Sequence, residues 1–143
     1  MTDNRIIIKP YLPEYEKAVI KLWRKCDLLR PWNDAKKDIK RKLKVNPELF
    51  LIGTIEGNII ATVIGGYEGH RGWINYLAVD PVYQGRGIGK QIMEVVEGKI
   101  KRMGCPKINI QTRTDNQDAV KFYESVGYKL DKVVSMGKRL VED

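Results

Sequence analysis

Thiol and imidazole are scarce in this chain: two cysteines and one histidine among 143 residues. Cys26 and Cys105 lie far apart and belong to no spaced motif. They read as buried free thiols of a cytoplasmic protein and not as a disulfide framework. With His70 as the single imidazole, a zinc site built from His and Cys is not expected, and no metal is expected at all. Long apolar runs are missing too. Nothing approaches the ~20 consecutive apolar residues of a membrane span, so no membrane association is expected. The opening "MTDNRIIIKP" holds a short apolar run and no small-residue cleavage pattern, which argues against a signal peptide. Repeats, low-complexity tracts and linkers are likewise absent, and the length suits one domain, residues 1–143, around one core.

Positive charge is what the chain has in excess. Its formal net charge is +8, which favours anionic partners in general: nucleic acid, polyphosphate cofactors or acidic metabolites. A solvated basic surface accounts for the same number.

The periodicities divide the chain cleanly. "IIIKP" is a short apolar run closed by Pro10 and reads as a strand. From Glu14 to Cys26, apolar residues recur at helical spacing. Pro31 breaks that helix, and Asn33 or Asp34 can cap a second one over Ala35–Val45. This second helix has only Ala35, Ile39 and Leu43 as an apolar line among many lysines, so a loosely held surface helix is expected. "ELFLIGTI" and "IIATVIGGY" read as strands joined by a tight turn around Gly57–Asn58. "GWINYLAVDP" is a third strand of this block. A helix with a firm core face follows to Met103, then the strand "KINIQT", a helix over Asn116–Val126, and "GYKLDKVVSMGKRL" as one or two final strands. The order β-α-α-β-β-β-α-β-α-β predicts an α+β fold: a mixed, mostly antiparallel sheet with helices on both faces.

The stretch "YQGRGIGKQ", Tyr83–Gln91, stands at the mouth of the long helix. Glycines at alternate positions bare the backbone where unpaired amides and the helix dipole attract anions, so it reads as a phosphate cradle. Two common cradles fail the spacing test. Gly85, Gly87 and Gly89 stand at relative positions one, three and five, whereas a dinucleotide fingerprint needs one, three and six. A Walker A loop needs glycine at Gln84 and Ser or Thr at Gln91.

The remaining pattern, Q-x-x-G-x-G from Gln84 to Gly89, resembles that of the GNAT superfamily of acetyl-CoA-dependent N-acetyltransferases. "YLAVDPVYQGRGIGKQIM" and "DNQDAVKFYESVGY" extend the resemblance on both sides, and the element order fits along essentially the whole chain. "LLRPWND", "GGYEGHRG", "GCPKI" and "GKRLVED" look like the YpeA-like bacterial subgroup. The resemblance implies that Leu77, Ala78 and Val79 bind the pantetheine arm of acetyl-CoA through their backbones, as an added strand would. It implies that Gln84, Gly85, Arg86, Gly87, Ile88, Gly89 and Lys90 take the pyrophosphate, and that Asn116 meets the cofactor's arm. Tyr123 matches the general acid that protonates the departing CoA thiolate. Packing alone would also explain the side chains of Leu77, Val79 and Tyr123, and helix capping would explain Asn116.

The general base is left unassigned. Some family members carry a glutamate on the fourth strand where this chain has Trp73, which accepts no proton. Glu68 and His70 are the ionisable candidates nearby, and an exposed turn is the simpler account of His70. The acceptor pocket of the fold points to Arg30, Trp32, Glu68, His70, Arg71, Trp73 and Tyr76, with the arginines suited to a carboxylate. The expected reaction is direct attack of a primary amine, of a small metabolite such as an amino acid, on the thioester in a ternary complex. Acetylation of a protein or peptide N-terminus or lysine is the alternative acceptor class. A basic nucleic-acid-binding module is the rival class, but the lysines surround the second helix without forming one stripe or pairing with exposed aromatics. A CoA-binding protein without turnover is a third reading. The terminal strands could pair across a homodimer, though nothing in the sequence requires it.

Overall fold

A computed structural model describes residues 5–143. Five strands form one sheet in the order β1–β2–β3–β4–β5: β1 (Ile7–Pro10), β2 (Phe50–Ile55), β3 (Asn58–Tyr67), β4 (Gly72–Val79) and β5 (Ile108–Ile110). All neighbours are antiparallel except β4 and β5. The helices are α1 (Glu16–Lys25), α2 (Ala35–Lys42), α3 (Ile88–Arg102) and α4 (Gln117–Ser125). The mixed, mostly antiparallel sheet with helices on both faces is the architecture expected from the periodicities.

Both faces of β2 and β3 are covered, which is why these strands read as continuous apolar runs and not as alternating ones. On one face Leu51, Ile55, Ala61 and Val63 pack with Ile92, Met93, Val96 and Ile100 of α3. On the other, Phe50, Ile52 and Ile64 pack with Val19, Leu22 and Trp23 of α1 and Ile39 of α2. The helix α3 lies so close to β3 that a Cβ at Gly65 would stand 2.7 Å from Val96 Cγ2. The β2–β3 turn centres on Glu56 and Gly57, at φ of 51° and 79°, one residue earlier than the sequence pattern places it. Two positive φ values make this the primed turn that matches strand twist.

Two expectations are corrected. The helix α2 is not loosely held, although its apolar stripe is as thin as its sequence says. Ile39 is buried, Asp34 Oδ1 caps the first turn by accepting from the amides of Lys36 and Lys37, and Lys42 Nζ donates to the carbonyl of Gly65. Polar side chains that periodicity treats as solvated do the anchoring.

The second correction concerns "GYKLDKVVSMGKRL", which forms no regular strand. This segment runs beside β5 in the same direction, with Lys107 Nζ on Asp131 Oδ2 at 2.8 Å and Gln111 Nε2 on Ser135 Oγ at 2.6 Å. Those are side-chain bonds. Among the described residues no backbone bond joins the segment to β5, so there is no ladder to define a strand. The chain then crosses to the α1–α2 loop, where Arg139 donates to Asn33 and Asp143 accepts from Arg41 and the amide of Asp34.

Candidate active site

Parting strands create the site. β4 and β5 pair only over Gly72–Ile74 and Ile108–Ile110; β5 then ends, while β4 continues to Val79. Among the described residues, the half of β4 beyond Ile74 therefore has β3 on one edge and no strand on the other. A cavity of about 500 Å³ fills the opening. Ile74 to Leu77 of β4 line it, with Cys26, Asp27, Leu28 and Arg30 from the α1–α2 loop and Gln111, Thr112, Arg113, Asp115, Asn116, Ala119 and Tyr123 from the segment after β5 and α4.

A bulge sets the open edge. Thr62 faces Ala78 and Ile64 faces Asn75, so Val63 alone opposes both Tyr76 and Leu77. Tyr76 takes φ of 50° to make it. Beyond the bulge the amide of Asp80 donates to the carbonyl of Ile60 on β3. Alternation then turns the backbone of Ala78 to β3, and that of Leu77 and Val79 to the open edge. The Val79 carbonyl accepts there from Gln84 Nε2 at 3.0 Å and from Cys26 Sγ at 3.4 Å. Burial, above all, pushes the Cys26 thiol up from its ordinary pKa.

The glycine-rich turn follows directly. Asp80 caps the short turn Pro81–Tyr83 by accepting from the amide of Val82, and Lys25 holds its other oxygen at 3.3 Å. Gly85 and Gly87 sit at φ of 80° and 78°, a region that costs an L side chain steric strain. Gly87 is the cap of α3, and the first intrahelical bond runs from the amide of Gln91 to its carbonyl. The amides of Ile88, Gly89 and Lys90 are thus the orphan donors of the helix start. Gly89 matters for packing instead. A Cβ there would stand 3.0 Å from Phe122 Cζ, so the bare backbone lets α4 close against α3. Lys90 is exposed beside these donors, and Arg86 rests over the Tyr83 ring at 5.1 Å. Together they fit a diphosphate.

Opposite the bulge stands Tyr123 of α4, edge-on to Phe122 and Tyr128. Burial pushes its phenol up to about 12, so it is fully protonated at neutral pH and available as a donor. Asn116 caps α4 through Oδ1 on the amide of Ala119 at 3.1 Å and also lines the cavity.

Residues 16–128 match the model of the Acetyltransferase (GNAT) family. The chain belongs to that family. Among its relatives, an acetyltransferase of Sodalis glossinidius is 48% identical over 128 residues, 89% of this chain and 90% of that protein. One of Pectobacterium atrosepticum is 47% identical over 127 residues, with coverage of 89% and 90%. Among solved structures, the PaiA N-acetyltransferase of Thermoplasma acidophilum in complex with coenzyme A superposes with a TM-score of 0.80 at 17% identity, over 91% of this chain and 93% of that one. The NatC complex bound to Gag peptide and CoA gives 0.75 at 25% identity, over 90% and 87%. This GNAT chain is an acetyl-CoA-dependent N-acetyltransferase, and acetyl-CoA is its co-substrate.

Within the GNAT site the structure brings Leu77, Asn116, Tyr123, Arg30 and Tyr76 to one cavity. Trp32 stands outside its lining, with its ring 5.8 Å from the Arg113 guanidinium. Glu68, His70, Arg71 and Trp73 do not line it. They cluster at the far end of β4, roughly 17 Å of strand from Leu77 at the usual rise per residue. Glu68 Oε1 accepts from the amides of His70 and Arg71, and the Arg71 and then the His70 amide hold its carboxyl below the ordinary range. Sequence reasoning did not single out Asn75, Gln111 or Arg113 as lining residues. A polar residue alternating with apolar ones marks Asn75; nothing local marks the other two. Among the described residues there is no cluster of three metal-ligating side chains, and no helix is long and apolar enough to cross a membrane.

Proposed function

We propose that this enzyme acetylates the primary amine of a small metabolite, such as an amino acid, by direct attack within a ternary complex. One observation carries the reading: a single cavity joins the open edge of β4 at Leu77, the protonated phenol of Tyr123 and a polar wall containing Arg30. Its volume, about 500 Å³, lies in the range of small-molecule sites. Leu77 and Val79 would bind the pantetheine arm by backbone hydrogen bonds, and the Ile88–Lys90 amides with Arg86 and Lys90 would hold the pyrophosphate.

In this arrangement the Leu77 amide donates to the thioester carbonyl oxygen as it gains charge. The acceptor nitrogen forms its bond to the carbonyl carbon, and the C–S bond breaks. Tyr123 hands its proton to the departing sulfur and is resupplied, through water, by the proton that nitrogen loses. Arg30 holds the acceptor's carboxylate; its Nη1 is committed to the carbonyls of Asp27 and Leu29 and lies 3.6 Å from the Asp27 carboxylate, which fixes the guanidinium and leaves Nε and Nη2 as the remaining donors. No covalent intermediate on the enzyme is needed.

Thiol release from acetyl-CoA, measured against amino acids, polyamines, aminoglycosides and short peptides beside Tyr123→Phe, tests this. Turnover with amino acids, cut about a hundredfold in the variant, supports it. Turnover confined to peptides moves the acceptor class to protein N-termini or lysines. Unchanged turnover in the variant removes Tyr123 from the mechanism.

A further inference from the structure

Tyr76 holds an unfavourable backbone conformation, and its surroundings hold it there from three sides. Thr62 Oγ1 donates to its carbonyl at 2.9 Å while accepting from Trp23 Nε1 at 2.8 Å. The indole of Trp23, fully buried, stacks on its ring with centroids 4.0 Å apart. Its hydroxyl donates to Asp38 Oδ2 at 2.6 Å. Asp38 does not stand alone: its other oxygen accepts from Arg41 at 2.6 Å, and Arg41 also bonds Asp143 at 2.9 Å. The Asp143 side chain, only 4% exposed, accepts in addition from the amide of Asp34 at 3.0 Å. A continuous run of charge-assisted bonds therefore leads from Asp143, through α2, to the bulge residue of β4. Without restraint, a non-glycine residue at positive φ returns to ordinary strand geometry. The bulge would then slip, and the backbone beyond it would turn away from the cleft.

We propose that Tyr76 is a positioning residue: its phenol, fixed by the Asp38–Arg41–Asp143 relay, holds the β4 bulge that aims the Leu77 amide at the thioester carbonyl. This rests on the role given to Leu77 under the proposed function. The relay couples the segment ending at Asp143, 67 positions on from Tyr76 in the numbering, to the polarising donor, although neither Asp143 nor Arg41 lines the cavity. A contact that served stability alone would lower the melting temperature without altering how a bound carbonyl is polarised.

The test is isotope-edited infrared spectroscopy of acetyl-CoA labelled with carbon-13 at the thioester carbonyl. The probe is bound in turn to the full-length chain and to Tyr76→Phe, Asp143→Asn and the double variant, with its affinity measured by calorimetry. The wild-type protein should lower the carbonyl stretch relative to free acetyl-CoA. Tyr76→Phe, which keeps the ring on Trp23, should return the band most of the way to the free position and weaken acetyl-CoA binding several-fold, because the Leu77 and Val79 backbone bonds turn away with the bulge. Asp143→Asn should return it in part, and the double variant should match Tyr76→Phe, because both act through one contact. A wild-type band in Tyr76→Phe overturns the proposal, as does an Asp143→Asn effect added in full on the Tyr76→Phe background. No lowering in the wild-type protein overturns the role of Leu77 and this proposal with it. Should Tyr76→Phe lose cooperative melting, Asp143→Asn decides alone: a band displaced towards the free position supports the relay, and a wild-type band overturns it.

Discussion

The two sides of the cleft are built in opposite ways. The side proposed to hold the pyrophosphate, Asp80 to Lys90, is one unbroken stretch of chain whose geometry follows from local chemistry: a proline turn capped by Asp80, two glycines at positive φ and a helix start. The acceptor side is assembled from residues far apart in sequence, Arg30, Tyr76 and Gln111 among them, and its Tyr76 is braced by side-chain bonds that reach as far as Asp143. A site made locally withstands distant change and fails when its own residues change. A site made by long-range bonds is sensitive at places that touch nothing reactive.

The hardest blow to that contrast comes from Gly87→Val. A branched side chain at φ of 78° should cost about 2 kcal/mol or more. Acetyl-CoA affinity should fall at least about thirtyfold, in proportion to that cost, while the Tyr76 environment stays as in the wild type. Calorimetry with acetyl-CoA and the near-ultraviolet spectrum report the two halves separately. An equal loss on both sides would erase the distinction.

Alkaline stability sharpens the comparison at the seam. Tyr123 is pushed up to about 12 by burial, above the 10 of an unfolded tyrosine. Its contribution is therefore complete below pH 10 and is lost as pH rises from 10 towards 12, because the unfolded chain releases its proton first. The loss amounts to about 3 kcal/mol at most. Tyr123→Phe should flatten the fall in melting temperature across that window and leave neutral pH unaffected. An identical slope in both proteins would mean that the phenol is better solvated than its packing indicates.

Asp34→Ala should cost about 1 kcal/mol through the lost cap of α2. It should also raise the acceptor KM several-fold, since the cap fixes the first turn of α2, the helix that carries Asp38 to Tyr76 in the cavity. The smallest effect is expected for Arg113→Gln, which removes the cation from the Trp32 ring. Losing an exposed contact of that kind costs about 0.5–1 kcal/mol, or a two- to fivefold rise in acceptor KM. A comparable change in acetyl-CoA affinity would show that the two sides are not independent.

The contrast also explains what was legible. The four helices were legible from apolar residues at helical spacing, and the five strands from short apolar runs bounded by turn residues. The glycine-rich turn proposed to hold the pyrophosphate was legible because Gly85, Gly87 and the helix start answer to local sterics. The anchoring of α2 was not, because Asp38, Arg41 and Lys42 look like any solvated charges until the fold presents them with Tyr76, Asp143 and Gly65. Nor was the ladderless course of the last segment: Val133, Val134 and Met136 have strand-forming character, yet they remain exposed, since strand formation needs an edge at ladder distance and the segment meets the β5 region only through side-chain bonds.

By itself the sequence determined the family, the order of elements from β1 to α4 and the glycine-rich turn ahead of α3, because these depend on residues within a few positions of one another. Tertiary structure alone decided the bulge at Tyr76, the parting of β4 from β5, and which polar side chains line the acceptor wall. Each of those depends on a partner that the chain meets only after it has folded.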